Sequence, residues 1–314
     1  MTTTVAPAQP TATTDTVHRQ IQGQRADVTG MIFQGLLVSA LLVTMLALLA
    51  LLYDVVTGAL PVLTERPWEF LTQGTSSNPE VAGIGQGIRG TLLIGLSVVV
   101  LAFPLGIGAA IYLEEYAGDT RFSRFVSLNI RNLAGVPSVV YGLLGLAIFV
   151  GTLGPITGGS TVIAAGITLA VLVLPIVIIT SAEALRAVPD SIREAGFGVG
   201  ASRWEVVRSH VLPYAAPGIL TGTVLSLARA LGEAAPLILV GAISGFFANP
   251  ADQSFLGSLQ GPFTALPMQV FSFARQPDPS LRELTSAAIV VLLCIVLVAN
   301  AAAIMLRNRY EKRR

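Results

Sequence analysis

Residues 132–182 read NLAGVPSVVYGLLGLAIFVGTLGPITGGSTVIAAGITLAVLVLPIVIITSA, 51 residues between Arg131 and Glu183 without one charged side chain. A bilayer core about 30 Å thick takes roughly 20 residues of helix at 1.5 Å each. The run is therefore too long for one crossing and long enough for two. The cluster Gly154-Pro155-Ile156-Thr157-Gly158-Gly159-Ser160 divides it, because glycine and proline punctuate helices. Four more apolar runs surround this one: one between Asp27 and Asp54, residues 90–113 closed by Glu114 and Glu115, about residues 215–246, and one between Glu283 and Arg307. Six crossings follow, and with them an all-α polytopic membrane protein.

Composition supports that reading and removes others. Of 314 residues 53% are hydrophobic and 12% charged, against about 25% charged in a soluble domain, and the mean hydropathy is +0.73. A soluble enzyme, a disordered scaffold and a disulfide-stapled domain are excluded, as is an outer-membrane barrel with its short alternating strands. A net charge of +1 offers no surface for nucleic acid. Lys312 is the only lysine, and a phosphate-binding P-loop needs Gly-Lys-Ser/Thr, so an ATP site is not expected in this chain. His18, His210 and Cys294 are too few and too dispersed for a His/Cys zinc cluster. The spans hold no Ser/His/Asp grouping for a membrane hydrolase.

Positive charge sets the orientation. The amino-terminal tail (Arg19, Arg25), the loop 114–131 (Arg121, Arg124, Arg131), the loop 182–214 (Arg186, Arg193, Arg203, Arg208) and the carboxyl-terminal tail (Arg307, Arg309, Lys312, Arg313, Arg314) carry fourteen arginines and lysines, against Arg66, Arg89, Arg275 and Arg282 on the other side. Both termini are expected in the cytoplasm. Residues 1–30 are expected to be a disordered tail rather than a cleaved signal, residues 31–306 the six-helix domain, with its core at about 83–306, and residues 307–314 a basic tail.

Arg229 and Glu233 are the charges expected inside a span. Each costs roughly 2.5–3.5 kcal/mol at a helix centre on insertion scales, so they need a reason. Four residues apart, they share a helical face and either pair to hold helices or jointly face a cavity. Gly218 and Gly222, and Gly142 and Gly145, are sufficiently explained by close helix packing. Gly85-Gln86-Gly87-Ile88-Arg89-Gly90 matches a dinucleotide fingerprint, but no strand precedes it; a flexible extracellular loop entering the second span is the expectation.

The loop 182–214 has a helical grammar of its own. Pro189-Asp190-Ser191-Ile192-Arg193-Glu194 offers a Ser-x-x-Glu capping box and predicts a helix starting near Ser191. Gly196, Gly198 and Gly200 allow a turn, and helix resumes at Trp204 before Leu212-Pro213. A helix, a glycine turn and a helix on the membrane face suggest a docking surface for a cytoplasmic partner.

Glu194-Ala195-Gly196, then Gly200, then Leu212-Pro213, resembles the EAA motif of permease subunits of bacterial ABC importers, with Gly196 in place of the second alanine and His210 in place of isoleucine. Residues 104–116 (PLGIGAAIYLEEY), 136–142 (VPSVVYG) and 229–236 (RALGEAAP) are similar to permeases of the phosphate-specific transport (Pst) system, over about residues 83–294. Residues 232–237 and 266–274 (LPMQVFSFA) resemble the A-type of its two permease subunits.

The resemblance implies a type I ABC importer permease fold in the cytoplasmic (inner) membrane, moving phosphate by alternating access. It implies a second, C-type permease, two ATP-binding subunits that hold the ATP and Mg, and an extracytoplasmic phosphate-binding protein. Arg229 would offer its guanidinium to a phosphate oxyanion, with Glu233 holding that arginine when the site is empty. Glu194, Ala195, Gly196, Gly200, Leu212 and Pro213 would form the loop coupled to the ATPase. Sulfate or molybdate remains an alternative cargo. A self-sufficient secondary transporter is the rival from another class, although the chain lacks the internal repeat common in such transporters.

Overall fold

The computed structural model describes residues 28–76, 78–242 and 259–311. The expected amino-terminal tail, His18, Arg19 and Arg25, and the terminal Lys312, Arg313 and Arg314 lie outside the described residues. The chain divides into two compact units, residues 1–54 and 55–314. In the first, the described residues are the opening stretch of helix α1, Val28–Glu65. Met31, Leu36, Leu41 and Leu46 are exposed there, and a helix apolar on all sides is suited to lipid.

In the second unit α1 runs past Asp54, the expected end of the first crossing, to Glu65. Its later turns pack on protein: Ala59 and Val62 are buried, and a Cβ at Gly58 would come within 2.9 Å of Ser286 Oγ. The remaining elements are α2 (Pro67–Thr72), α3 (Gly85–Ile111, prolonged by a π-helical turn, Tyr112–Tyr116), α4 (Arg121–Ala134), α5 (Ser138–Gly145, prolonged by the π-helical Leu146–Thr152) and α6 (Gly154–Thr157). Next come α7 (Val162–Arg186), α8 (Asp190–Gly198), α9 (Arg203–Val206), a π turn (Val207–Val211) and α10 (Leu212–Gly232). The last are α11 (Ala235–Val240), α12 (Leu266–Ala274) and α13 (Ser280–Glu311).

Among the described residues five helices are long and apolar enough to cross a membrane: α1, α3 with its π turn, α7, Arg203–Gly232, and α13. The sixth candidate crossing is interrupted. α4 and the segment Ser138–Thr152 meet at 99°, because Gly135-Val136-Pro137 breaks the helix; proline has no N–H to give and disfavours helix in the residue before it. Its straight part, at 1.5 Å per residue, is only about 22 Å long, shorter than the full crossing expected between Arg131 and Gly154. The turn expected at 154–160 is present, with Gly158 and Gly159 at φ +85° and +84°.

α7 is the axis of the unit, packed against α3, α4, α5 and α10. Lipid gives apolar side chains no reason to prefer each other, so close backbone approach must supply the contact. Cβ atoms at Gly218 and Gly222 of α10 would run into Ala184 and Thr180 of α7, one at Gly145 into Thr168, and one at Gly142 into Pro236 and Leu239. Two buried hydroxyls turn back on their own helices: Thr168 donates to Ala164 O at 2.7 Å and Ser226 to Gly222 O at 2.8 Å, leaving neither stranded in a dry interior. The glycine fingerprint at 85–90 is the buried start of α3, not a flexible loop. A Cβ at Gly85 would collide with Thr72 O, one at Gly87 with the Gln269 side chain and one at Gly90 with Thr264 O.

Candidate functional site

The membrane charges sit where a helix stops. Arg229 lies in the last turn of α10, but Glu233 is the residue that caps it, with extended backbone at φ −81° and ψ 117°. Gly232 is a weak helix former, and Pro236, at the start of α11, cannot extend the helix behind it. This corrects the expected span over 215–246 with both charges on one continuous face; residues 243–246 lie outside the described residues. The two side chains still meet, Arg229 Nε to Glu233 Oε1 at 3.5 Å. That is longer than a charge-assisted hydrogen bond of about 2.7–2.9 Å. The arginine side chain remains 48% exposed and the glutamate 20%, so the pair is loose and open on the cationic side.

The loop 182–214 folds into α8 and α9 as expected in kind, with two corrections. α8 begins at Asp190 behind Pro189, and no side chain caps it; Ser191 is already inside the helix, so the Ser191–Glu194 box does not form. The box that forms is Ser202–Glu205, in front of α9. Ser202 N donates to Glu205 Oε2 at 2.8 Å, and the Ser202 hydroxyl donates to the same oxygen at 2.7 Å. These bonds stabilise the carboxylate and hold Glu205 below its ordinary pKa of 4.5.

Glu194, Ala195 and Gly200 are exposed. Gly200 makes the turn at φ +84°, a region L side chains avoid. Gly196 is buried, and a Cβ there would stand 2.7 Å from Val206 Cγ2, which explains why this chain has glycine where the motif has alanine. Leu212 and Pro213 open α10 directly after the π turn that contains the exposed His210. Beside the motif, Phe197 (47%), Val199 (85%) and Trp204 (54%) project large apolar surface.

Four charged residues to which the sequence assigned no role at a site prove to anchor this loop. Glu114 and Glu115 lie on the π turn that ends α3. Arg186, at the end of α7, donates from Nε to Glu114 Oε2 at 2.7 Å and from Nη2 to Oε1 at 2.5 Å. Arg193 of α8 donates from Nη2 to Glu115 Oε1 at 2.8 Å and to Leu185 O at 2.9 Å. Its Nη1 donates to Val188 O at 2.8 Å and to Asp190 Oδ1 at 3.1 Å. The bond to Glu115, ahead of the cost of burial, raises the Arg193 pKa above its ordinary value. The sequence held part of the signal, two adjacent carboxylates at the membrane end where arginines collect, but not which arginine each carboxylate meets.

Residues 102–313 match the family described as binding-protein-dependent transport system inner membrane component. The chain is 32% identical over 278 residues, 88% of each chain, to the phosphate transport system permease protein PstA 1 of Mycobacterium tuberculosis (strain CDC 1551 / Oshkosh). It is 33% identical over 220 residues, 62% of this chain and 68% of the other, to the phosphate transport system permease protein PstC 2 of Mycobacterium bovis. Its fold is similar to that in the crystal structure of a bacterial ABC transporter involved in the import of the acidic polysaccharide alginate, with a TM-score of 0.61 at 17% identity, covering 90% of this chain and 98% of that one. The chain belongs to the family of inner membrane components of binding-protein-dependent transport systems.

Proposed function

We propose that this chain is the A-type permease subunit of an ATP-driven importer of inorganic phosphate. The observation that carries the reading is the similarity to a phosphate transport permease along 88% of both chains. The chain would pair with a second, C-type permease, two ATP-binding subunits that bind the ATP and Mg, and an extracytoplasmic phosphate-binding protein. Its termini would face the cytoplasm, on the strength of the fourteen-to-four charge bias.

Arg229 is the group for the cargo. Its guanidinium fork suits a phosphate oxyanion, it is half exposed, and its glutamate partner holds it at 3.5 Å, loosely enough to be exchanged for a ligand. The break between α10 and α11 at Glu233 is of the kind tolerated at membrane depth where backbone is buried in protein or lines a cavity. Glu194, Ala195, Gly196, Gly200, Leu212 and Pro213 form and orient the surface that receives the ATPase, with Phe197, Val199 and Trp204 as its apolar contacts.

The decisive test is uptake of labelled phosphate by the complete complex in proteoliposomes, with sulfate and molybdate as competitors. Phosphate uptake that needs ATP and the binding protein and resists both competitors is expected. Transport of sulfate or molybdate in its place would overturn the cargo. Topology is checked in a Cys294→Ser background, where cysteines placed at Ser76 and Ser209 should label from opposite faces of intact cells; labelling from one face would overturn the orientation.

A further inference from the structure

We infer that Glu115 and Arg193, backed by Glu114 and Arg186, are the link through which movement of α8 is passed to α3 and α7. The inference rests on the reading of α8 as the helix that receives the ATPase. α8 is attached to α7 by the short stretch 187–189, with Pro189 in an extended conformation, and to α9 through the Gly200 turn. Both joints are ones about which a short helix swings. A docking helix that swung freely would absorb its partner's motion rather than pass it on.

Arg193 removes that freedom. Its guanidinium bonds Leu185 O, which also accepts from the Val188 N–H at 3.2 Å, and Val188 O, carbonyls at and just past the end of α7. It simultaneously holds Glu115. One side chain on α8 thus ties the end of α7 to the end of α3. The two side chains are only 19% and 8% exposed, and separating a shielded pair leaves an uncompensated charge, so the three ends are held together as one body.

The π turn doubles the tie. Glu114, next in the chain, grips Arg186 through two nearly parallel bonds, the arrangement that gives an arginine–carboxylate pair its directionality. Adjacent carboxylates thus reach α7 on one side and α8 on the other, and π turns recur where helices serve function. A third contact closes the group: the Arg203 guanidinium stands 5.8 Å from the centre of the Tyr116 ring, joining the π turn to α9. Gly196 against Val206 then fixes α8 on α9. These contacts to α3, α7 and α9 give a motion imposed on α8 a direct route to the spans.

The test uses the complete complex in proteoliposomes, with Glu115→Gln, Arg193→Gln and the double variant. Three quantities are measured: retention of the ATPase subunit on purification, ATP hydrolysis, and phosphate taken up per ATP. The expected result is retained ATPase, continuing hydrolysis and phosphate per ATP down about tenfold in each single variant, the double being no worse than the weaker single because residues in contact act as one unit. Arg193→Lys, which keeps the charge and loses the fork, should fall between. Where a glutamine variant does not accumulate, Glu115→Asp supplies the same reading by shortening the reach while keeping the charge. Normal phosphate per ATP in both singles would overturn the link. Loss of the ATPase subunit from them would overturn it also, since the pair would then only shape the docking face. Ala195→Glu separates this from the parent reading: it should release the ATPase while Glu115→Gln retains it, and full retention in Ala195→Glu would count against docking itself.

Discussion

Two arginine–glutamate pairs in this molecule are built to opposite ends. Arg229 and Glu233 meet through one 3.5 Å contact, at a helix break, with nearly half of the arginine side chain uncovered. Arg193 and Glu115 meet at 2.8 Å, both shielded, and the same guanidinium is occupied by two main-chain carbonyls. The chemistry of the partners is the same and the geometry differs. A pair with slack can open for a competing anion at little cost, whereas one whose donors are all engaged can only move with what it holds.

The largest effect is expected at the loose pair. Arg229→Gln should lower phosphate uptake about a hundredfold, the scale of removing the charged partner from a bound, shielded anion. The double variant Arg229→Gln with Glu233→Gln distinguishes a transport role from a structural one. With no uncompensated charge left it should assemble in normal amounts, measured by co-purification of the complex, and still fail to move phosphate. Normal assembly with normal uptake would show that this pair only holds helices, and the contrast with Arg193–Glu115 would collapse.

Next in size is the effect at the proposed docking surface beside the tight pair. Gly200→Val places a β-branched residue at φ +84°, at a cost of roughly 1–2 kcal/mol, and should turn α8 away from the ATPase proposed to dock on it. Phosphate uptake is expected to drop about tenfold while the amount of permease in the membrane stays constant. Unchanged uptake would mean the loop is only a connector.

The sequence was legible where a single physical pressure acts and opaque where two compete. α7 and the glycine turn before it follow directly from the uncharged run and its punctuation, since lipid alone demands that length. α1 was expected to end at Asp54, but beyond it Ala59 and Val62 pack against protein, so a charge did not mark the boundary. α10 was expected to continue past Glu233; the signals against it, Gly232 and Pro236, stood in the sequence but were outweighed by the length of the apolar run. Ser191–Glu194 and Ser202–Glu205 both spell a capping box, and the first is pre-empted because Asp190 behind Pro189 is already helical. Arg229, Glu233 and the loop motif could be picked out as residues. The Glu115–Arg193 pair could not, because it joins positions 78 residues apart and pairing of that kind exists only in the fold.

A smaller effect probes the contact between α8 and α9. Gly196→Ala restores the alanine of the related motif but brings a methyl against Val206, an overpacking worth roughly 1–3 kcal/mol. Phosphate taken up per ATP should fall about fivefold, and adding Val206→Ala should return it. Failure of the second change to rescue would place the demand for glycine elsewhere than in this contact.

The smallest effect is a pH dependence in the cap of α9. Bonds from the Ser202 hydroxyl and N–H hold Glu205 below its ordinary 4.5, so the folded carboxylate titrates lower than the unfolded one. The cap's contribution is therefore fully present above pH 4.5 and is lost as the pH falls through the depressed folded value. Trp204 lies inside the box and Trp68 is the other tryptophan, so in a Trp68→Phe background the emission of Trp204 reports on this turn alone. Its acid transition should have a midpoint below 4.5, and Ser202→Ala, which removes the hydroxyl donor, should move that midpoint up toward 4.5. An identical midpoint with and without the Ser202 hydroxyl would show that Glu205 is governed by something other than the cap.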